Sequence, residues 1–207
     1  MSHLIDITRP INPTIAVWPG DTPFTLDAIA RICDGASVNL TTWHMSAHTG
    51  THADAEFHFA DDGRSIDQMP LDRYVGRAQV ISIGRSSGGI LPVDLLSVPI
   101  TTERILFRTT SSALADDQWP SDFVTLTPDV IDWLADRDVI LIGLDSPSVD
   151  AFDSKLLPSH HRLRARGMAN LEGLALANVP DGEYELIAMP LRVIGACASP
   201  VRAVLRR

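Results

Sequence analysis

Short apolar stretches, separated by proline, glycine and polar residues, dominate the chain and predict more strands than helices. The strand candidates are rich in β-branched and aromatic residues. They are "HLIDITRPI", "SVNLTTWHMSAH", "RAQVISIG", "RILFRT", "DVILIGL", "LEGLALANV" and "YELIAMPLRV". By contrast, "NPTIAVWPGDTPF" is punctuated as a loop, and "RSIDQMPLDRYVG" predicts one or two short helices.

Helical periodicity is clear in one segment, "TPDVIDWLADR". Thr127 is a suitable N-cap and Pro128 fits the first helical position. Val130, Ile131 and Leu134 form an apolar face. One helix among many strands predicts an α/β fold with excess β structure. We expect one domain over residues 1–207, a mixed sheet or barrel-like core with few helices, and not an α/β-hydrolase fold.

Composition narrows the class of protein. The chain has 207 residues, 45% hydrophobic residues and a net charge of −9, so it has enough apolar content for a core and lacks the excess basic charge that nucleic-acid binding requires. The start resembles no signal peptide, and the longest apolar stretch is too short for a membrane span. We therefore expect a cytoplasmic protein. Cys33 and Cys197 form no CxxC motif, and a disulfide between them stays open.

Histidines are concentrated in one segment: four of the seven lie between positions 44 and 58, around "HTGTHADAEFHF". On an ideal helix, His48 and His52 would lie on a different side from Asp54 and His58. On a strand all four would share one face, but the ends would lie ~33 Å apart. The chain must therefore bend, and Gly50 is suited to the bend. We expect His48 to end a strand, and His52 and Asp54 to follow on a curl.

Neutral imidazoles with a carboxylate suit zinc, manganese or another first-row divalent ion. The alternative, a hydrogen-bonded polar cluster, is weaker for three histidines and an aspartate at this density. Glu56 also lies at an even-numbered position and would share that face on a strand, but it is more easily explained as a solvated residue. His44 is more easily explained as a packed strand residue or a group behind the ligands.

A second segment, "LPSHHRLRARGMANLEGLAL", offers His160, His161 and Glu172. Glu172 lies in an apolar setting, where a carboxylate is costly unless it is paired or binds a cation. A salt bridge to Arg162, Arg164 or Arg166 is the alternative. The two histidines could equally form a surface turn after Pro158.

Two further polar groups have competing explanations. Asp145, Ser146 and Asp150 follow a buried strand and could face a ligand crevice, or could satisfy local backbone groups. "GRSSG" matches the G-x-S-x-G motif at Ser86, but the following "GGILPVD" cannot begin the helix that a nucleophile elbow requires. A serine hydrolase is therefore a weak rival.

Taken together, "HTGTHADAEFHF", "DSPSVD", "SKLLPSHHRLRARG", "NLEGLAL" and "YELIAMPLRVIGACASPVRAVLR" resemble the bacterial, metal-dependent kynurenine formamidases of the cyclase-like amidohydrolase family. The resemblance covers nearly the whole chain. It implies an arylformamidase that hydrolyses N-formyl-L-kynurenine to L-kynurenine and formate with a metal-activated water. It also implies a homodimer with two divalent ions per subunit, usually zinc.

The resemblance also assigns roles to residues. His48 and His52 would bind the first metal, His160 the second, and Asp54 and Glu172 both. His58 would transfer protons, and Trp18 would contact the substrate. Glu56 departs from the family, which typically has proline there, and could loosen the loop or add charge near the metals. The remaining alternatives are a relative acting on a cyclic amide such as isatin, and a non-catalytic metal-binding module.

Overall fold

Strand pairing, rather than helix packing, builds most of the molecule. The computed structural model describes residues 3–207. Its strands are β1 Leu4–Asp6, β2 Thr25–Ala30, β3 Leu40–His44, β4 His52–Asp54, β5 Val75–Ser82, β6 Gly88–Ile90, β7 Arg104–Arg108, β8 Val124–Leu126, β9 Leu141–Leu144, β10 Ala169–Glu172, β11 Gly182–Ile187, β12 Ala198–Pro200 and β13 Val204–Arg206. Its α-helices are α1 Pro128–Ala135 and α2 Pro158–Ala165. Single 3₁₀ turns lie at Ile32–Asp34, Glu56–His58, Ile66–Gln68, Leu71–Arg73, Pro92–Leu95 and Thr110–Ala113.

Nine strands form one mixed sheet in the order β1-β13-β11-β5-β7-β9-β10-β4-β12. The four central strands β5, β7, β9 and β10 are parallel to their neighbours within that group. The flanking strands pair antiparallel. The predicted α/β class with a mixed sheet and few helices is therefore confirmed, and the α/β-hydrolase fold is excluded as predicted.

Apolar side chains cover both faces of the central strands. Leu106 of β7 points into one core with Tyr74 and Leu171, whereas its neighbours Ile105 and Phe107 belong to the opposite core. Such near-continuous apolar runs are typical of strands buried on both sides. Helices α1 and α2 contact each other and contribute to the second core.

The predicted helix α1 is confirmed, whereas α2 was not predicted. The Thr127 side chain accepts a hydrogen bond from the backbone N–H of Val130 at 3.3 Å, and Val130, Ile131 and Leu134 are buried. Helix α2 has the sequence "PSHHRLRA", in which Leu163 is the only large aliphatic residue. A helix with so little apolar surface leaves no periodic signal.

The register around "HTGTHADAEFHF" also differs from the prediction. Strand β3 ends at His44, His48 lies in a turn, and His52–Asp54 form strand β4. His48 therefore does not end a strand, and His52 and Asp54 do not follow on a curl. The predicted bend at Gly50 is confirmed by its φ of 68°.

Strands β2 and β3 form a separate hairpin, paired from Thr25 with His44 to Ala30 with Leu40 and interrupted by a bulge. Every residue of β3 and all but the last of β2 are exposed. Within residues 3–207, no helix is long and apolar enough to cross a bilayer.

Candidate metal centre and cavity

Two antiparallel strands form the floor of the candidate site. In the register of β4 and β10, His52 lies directly opposite Glu172. Because side chains alternate along a strand, Asp54 shares the face of His52, and Asn170 shares the face of Glu172. This pairing brings segments more than a hundred residues apart in sequence into one polar cluster.

A close crossing of two glycines permits this arrangement. Gly173, with φ 64°, has no room for a side chain, since an added Cβ would lie 2.5 Å from the carbonyl oxygen of Gly50. The Thr51 hydroxyl donates a 2.6 Å hydrogen bond to the Gly173 carbonyl oxygen at the same crossing. Because the strands are antiparallel, both glycines lie at the same end of the His52–Glu172 pair, where the two chains approach closely.

Helix α2 supplies His160 from its first turn. Asp150 accepts hydrogen bonds from the backbone N–H groups of Ser159 (2.9 Å) and His160 (3.1 Å). These bonds satisfy donors that a helix N-terminus leaves free. The same carboxylate lies 2.7 Å from His160 Nδ1. Asp150 thus fixes both the helix and the ring, which leaves His160 Nε2 facing Asp54 at 3.4 Å.

The predicted ligand residues come together around two carboxylates. His48 Nδ1 lies 3.0 Å from Asp54 Oδ1, and His52 Nε2 lies 3.4 Å from the same oxygen. Glu172 Oε2 lies 3.3 Å from His52 Nε2, and Glu172 Oε1 lies 3.6 Å from His160 Nε2. Of the five, all but the half-buried His48 are buried.

The donor atoms of these five residues form two overlapping groups that could each hold a cation. His48, His52 and Asp54 make one group, and Asp54, His160 and Glu172 make the other. Within each group the ligand atoms lie within 4.8 Å of one another. His52 Nε2 and Asp54 Oδ1 are buried with no hydrogen-bond partner among the described residues. Because buried polar atoms rarely stay unsatisfied, these two atoms fit a bound ion.

The imidazoles and carboxylates of the cluster shift one another's pKa values. Burial disfavours the protonated rings, but the neighbouring carboxylates outweigh it and raise the pKa of His48 to about 9 and that of His52 to about 10. The pKa of His160 is raised in the same way, by Asp150, Asp54 and Glu172. Burial opposes ionisation of Asp54, but the three histidines hold its pKa well below the usual value. The cluster therefore favours bound positive charge, either protons or a metal.

An open cavity of about 510 Å³ lies above this cluster. His48, His52, His160 and Glu172 line its base, and His58 and Trp18 line its wall. The rings of His58 and His48 are 4.1 Å apart between centroids, so His58 lies beside the cluster.

Aromatic side chains surround Trp18 at the cavity. Its ring stacks on Phe152 at 5.0 Å and meets Trp119 edge-on at 5.3 Å. This arrangement suits a flat aromatic ligand. Trp119 and Phe152 were missed in the sequence, because no local pattern connects them to position 18.

Other candidates from the sequence lie elsewhere. His44 is exposed in the hairpin rather than packed, and His161 is exposed on α2. The Glu56 carboxylate is not solvated but accepts hydrogen bonds from the Arg64 side chain (3.1 Å) and backbone N–H (3.1 Å). Ser86 is exposed at a bend followed by β6, so the helix of a nucleophile elbow is absent there.

The competing explanations for buried acids are also resolved. Glu172 forms no salt bridge with the nearby arginines: Arg162 and Arg166 pair with Asp132, and Arg164 pairs with Asp62. Asp145 accepts hydrogen bonds from the backbone N–H groups of Thr109 and Ser112, which lie more than 30 residues away in sequence, so it satisfies backbone groups of another segment rather than of its own turn.

Two residues that the sequence analysis did not assign contact the cluster. The Asn170 amide donates to Asp54 Oδ2 at 2.7 Å and to Glu172 Oε1 at 3.2 Å, so it orients both carboxylates. The only signal for it was its position two residues before Glu172 on one strand.

Cys197 Sγ lies 3.4 Å from His48 Nε2, and hydrogen bonding to His48 and His58 lowers the pKa of the thiol to about 6. Cys33 and Cys197 are both free thiols, so the disulfide left open above is not formed.

Comparisons with known proteins identify the family of this chain. The family model described as "Putative cyclase" matches residues 5–151. A kynurenine formamidase from Salinibacter ruber is 47% identical over 205 residues, which cover 98% of this chain and 97% of that protein.

Solved structures share the whole fold. A potential metal-dependent hydrolase with cyclase activity has a TM-score of 0.87 at 26% identity, over 100% of this chain and 98% of that one. Isatin hydrolase A from Labrenzia aggregata, bound to benzyl benzoate, has a TM-score of 0.85 at 24% identity, over 99% of this chain and 93% of that one; at this identity it supports the fold alone. With a family match over most of its length and a relative of 47% identity, this chain belongs to the cyclase family.

Proposed function

We propose that the protein is an arylformamidase that hydrolyses N-formyl-L-kynurenine to L-kynurenine and formate. The observation that carries the proposal is the buried cluster of imidazoles and carboxylates at the base of a cavity lined by Trp18. The relative from Salinibacter ruber, similar over almost the full length of both chains, supports the choice of substrate.

We assign the cluster to two divalent metal ions, with zinc as the expected metal. His48 and His52 would hold the first ion, His160 would hold the second, and Asp54 and Glu172 would supply donors to both. The overlapping donor groups, which share Asp54, support a pair of ions. The unpaired His52 Nε2 and Asp54 Oδ1 support the same assignment. Nitrogen and oxygen donors of this kind suit zinc.

The chemistry divides between the ions and the protein. When bound, a divalent ion supplies Lewis acidity and lowers the pKa of a coordinated water from ~15.7 to ~7. We assign proton transfer to His58, which accepts a proton from the attacking water and returns it to the aniline nitrogen as the C–N bond breaks. Its support is its place in the cavity lining beside His48.

Trp18 is assigned to the aromatic ring of the substrate. An aniline ring placed in the cavity could continue the stack that Trp18 makes with Phe152. Such aromatic contacts are worth ~0.5–1.5 kcal/mol beyond the area they bury. The small formyl group would then point toward the cluster, where the cavity floor is polar.

We further propose a homodimer, in the cytoplasm, with the β2–β3 hairpin at the interface. Six large apolar side chains of the hairpin segment are more than half exposed: Leu26, Ile29, Ile32, Val38, Leu40 and Trp43. A two-stranded hairpin is only marginally stable in water, and an apolar patch of this kind marks an interaction surface. Trp43 also lines a shallow groove with Met189 and Leu191, which offers a second copy an apolar surface to cover.

A comparison of substrates tests the activity. Purified, zinc-loaded protein is assayed with N-formyl-L-kynurenine and with isatin, each followed optically. The proposal expects kcat/KM for the formamide to exceed that for isatin by at least tenfold. A preference for isatin would replace the proposed activity with ring opening of a cyclic amide. Turnover of neither substrate by metal-loaded protein would favour a non-catalytic metal-binding module.

A further inference from the structure

Each histidine of the cluster has one nitrogen toward the carboxylates and the other held from behind. His52 Nδ1 lies 3.1 Å from the Gly50 carbonyl oxygen, and His160 Nδ1 lies 2.7 Å from Asp150 Oδ2. His48 is oriented the other way round, with Nδ1 toward Asp54 and Nε2 3.4 Å from Cys197 Sγ. Two outer partners are therefore oxygens, and the third is a sulfur.

The outer partner decides which nitrogen can bind a metal. A neutral imidazole carries one N–H and one lone pair, and an acceptor behind the ring draws the proton to that side. The lone pair is then left facing the ion. A carbonyl oxygen and a carboxylate can only accept, so they set His52 and His160 without ambiguity. For His48, the same task falls to Cys197.

The backbone holds Cys197 firmly in this position. Its carbonyl oxygen accepts a 2.9 Å hydrogen bond from the Ala55 N–H, and the next residue, Ala198, lies opposite Asp54 in the β12–β4 register. Cys197 is thus attached on both sides to the strand that carries His52 and Asp54. The thiol is half-buried and also lies near His58, since His48, His58 and Cys197 offer donor atoms within 4.8 Å of one another.

We propose that Cys197 is a positioning residue, whose sulfur accepts the Nε2–H of His48 and so presents Nδ1 to the first metal ion. Covalent blocking of this thiol therefore weakens the binding of the first ion and leaves the ion at His160 in place. The inference rests on the metal binding proposed above, and it does not depend on the identity of the substrate.

Zinc affinity, measured by competition with a chromophoric chelator, tests the proposal without any substrate. Cys197→Ala should lower the affinity for one of the two zinc ions by about 10–100-fold, the usual effect of losing a residue that hydrogen-bonds to a metal ligand. Cys197→Ser keeps an acceptor and should recover most of that loss. Cys33→Ala is the matched control, because Cys33 is exposed on a 3₁₀ turn outside the cluster.

The pattern of losses separates positioning from general damage. Equal zinc affinity in Cys197→Ala and the parent would overturn the proposal, and so would equal weakening of both ions with no recovery in Cys197→Ser. If Cys197→Ala fails to fold, alkylation of folded Cys33→Ser protein gives the answer, since blocking Cys197 should release one zinc. An alkylated protein that keeps both ions contradicts the role. A parent that binds no zinc would overturn the proposed metal site itself, whereas intact zinc binding without formamidase activity would overturn only the substrate.

Discussion

At the scale of residues, the cluster depends on partners that sit behind the histidines as much as on the histidines themselves. Asp150 holds His160 at 2.7 Å, and Asn170 bridges Asp54 and Glu172. These contacts keep the donor atoms directed at one small volume. Rigid outer partners of this kind make a site precise enough for chemistry.

Replacing His58 tests its proton transfer. His58→Ala should lower kcat by ~10²–10⁴-fold, the usual contribution of general acid–base catalysis, and leave both metals bound. The measurement is steady-state kinetics with metal content determined on the same sample. His161→Ala is the matched control, because His161 is exposed on α2 and outside the cavity lining. Near-normal turnover in His58→Ala would remove the role.

The pH dependence of zinc binding follows from the raised pKa values of the histidines. With a pKa of about 9 for His48 and about 10 for His52, both rings are protonated at neutral pH and must lose protons when zinc binds. Apparent zinc affinity should therefore keep rising with pH through ~7 and above, because metal and protons compete for the same nitrogens. Chelator competition at several pH values measures this slope. An affinity that is flat above ~7, where ordinary histidines with a pKa of ~6.5 are already neutral, would contradict it.

The residue types of the cluster could be predicted from the sequence, but their outer partners could not. The density of histidine around "HTGTHADAEFHF" indicated a metal, but the sequence placed His52 and Asp54 on a curl, whereas they lie in strand β4. Asn170 and Cys197 carried no pattern, because their importance comes from strand pairing. Glu56 was expected to be solvated but pairs with Arg64. This pairing likewise depends on the path of the loop between the two residues.

At the scale of elements, the crossing of β4 and β10 holds the two halves of the site together. Their pairing places His52 beside Glu172, and the Gly50–Gly173 contact sets how closely the following turns approach. A change that pushes these turns apart should disturb both proposed metal positions, because their donor residues come from both strands.

Substitution of Gly173 measures the importance of this crossing. Gly173 and Gly167 have the same φ of 64°. Alanine is strained in this left-handed conformation, so either substitution should lower the free energy of unfolding by ~1–2 kcal/mol. Only Gly173→Ala adds a clash with Gly50, and we expect a further ~1–3 kcal/mol of destabilisation and weaker zinc binding. Urea unfolding of the two variants gives the difference. Equal free energies of unfolding would show that the crossing is not tight.

Elements were predictable where a local period exists. Helix α1 has a cap, a proline at its start and an apolar face, so its existence and its buried residues were correct. Helix α2 is polar, and tertiary contacts through Leu163, Asp150 and α1 stabilise it instead. The position of His48 in a turn was missed because even spacing was the only evidence. Side chains at even spacing can share one face in a strand, but a turn can also bring them together.

At the scale of the whole molecule, one mixed sheet carries strands β4 and β10 of the site, and the β2–β3 hairpin forms a separate, largely exposed sheet. The hairpin lies between Trp18 and His48 in the sequence, so its docking would bear on both the aromatic wall and the first metal position. A homodimer that covers the hairpin would explain its apolar surface.

A charge placed on the hairpin tests the homodimer. Leu26→Lys puts a cation opposite Trp43, its partner in the strand register, and should convert a dimer into a monomer. Light scattering coupled to size-exclusion chromatography reads the mass directly. Leu96→Lys is the control, because Leu96 is 70% exposed but lies outside the hairpin. A monomeric parent, or a Leu26→Lys variant that stays dimeric, would contradict the proposed interface.

The central claim is metal-dependent hydrolysis of N-formyl-L-kynurenine. The most direct measurement is the optical rate of kynurenine formation by untreated protein, by chelated protein, and by chelated protein reloaded with zinc. We expect chelation to abolish the rate and about two equivalents of zinc per chain to restore it. A rate that survives complete removal of metal would contradict the account, and so would fully zinc-loaded protein that leaves the substrate unchanged.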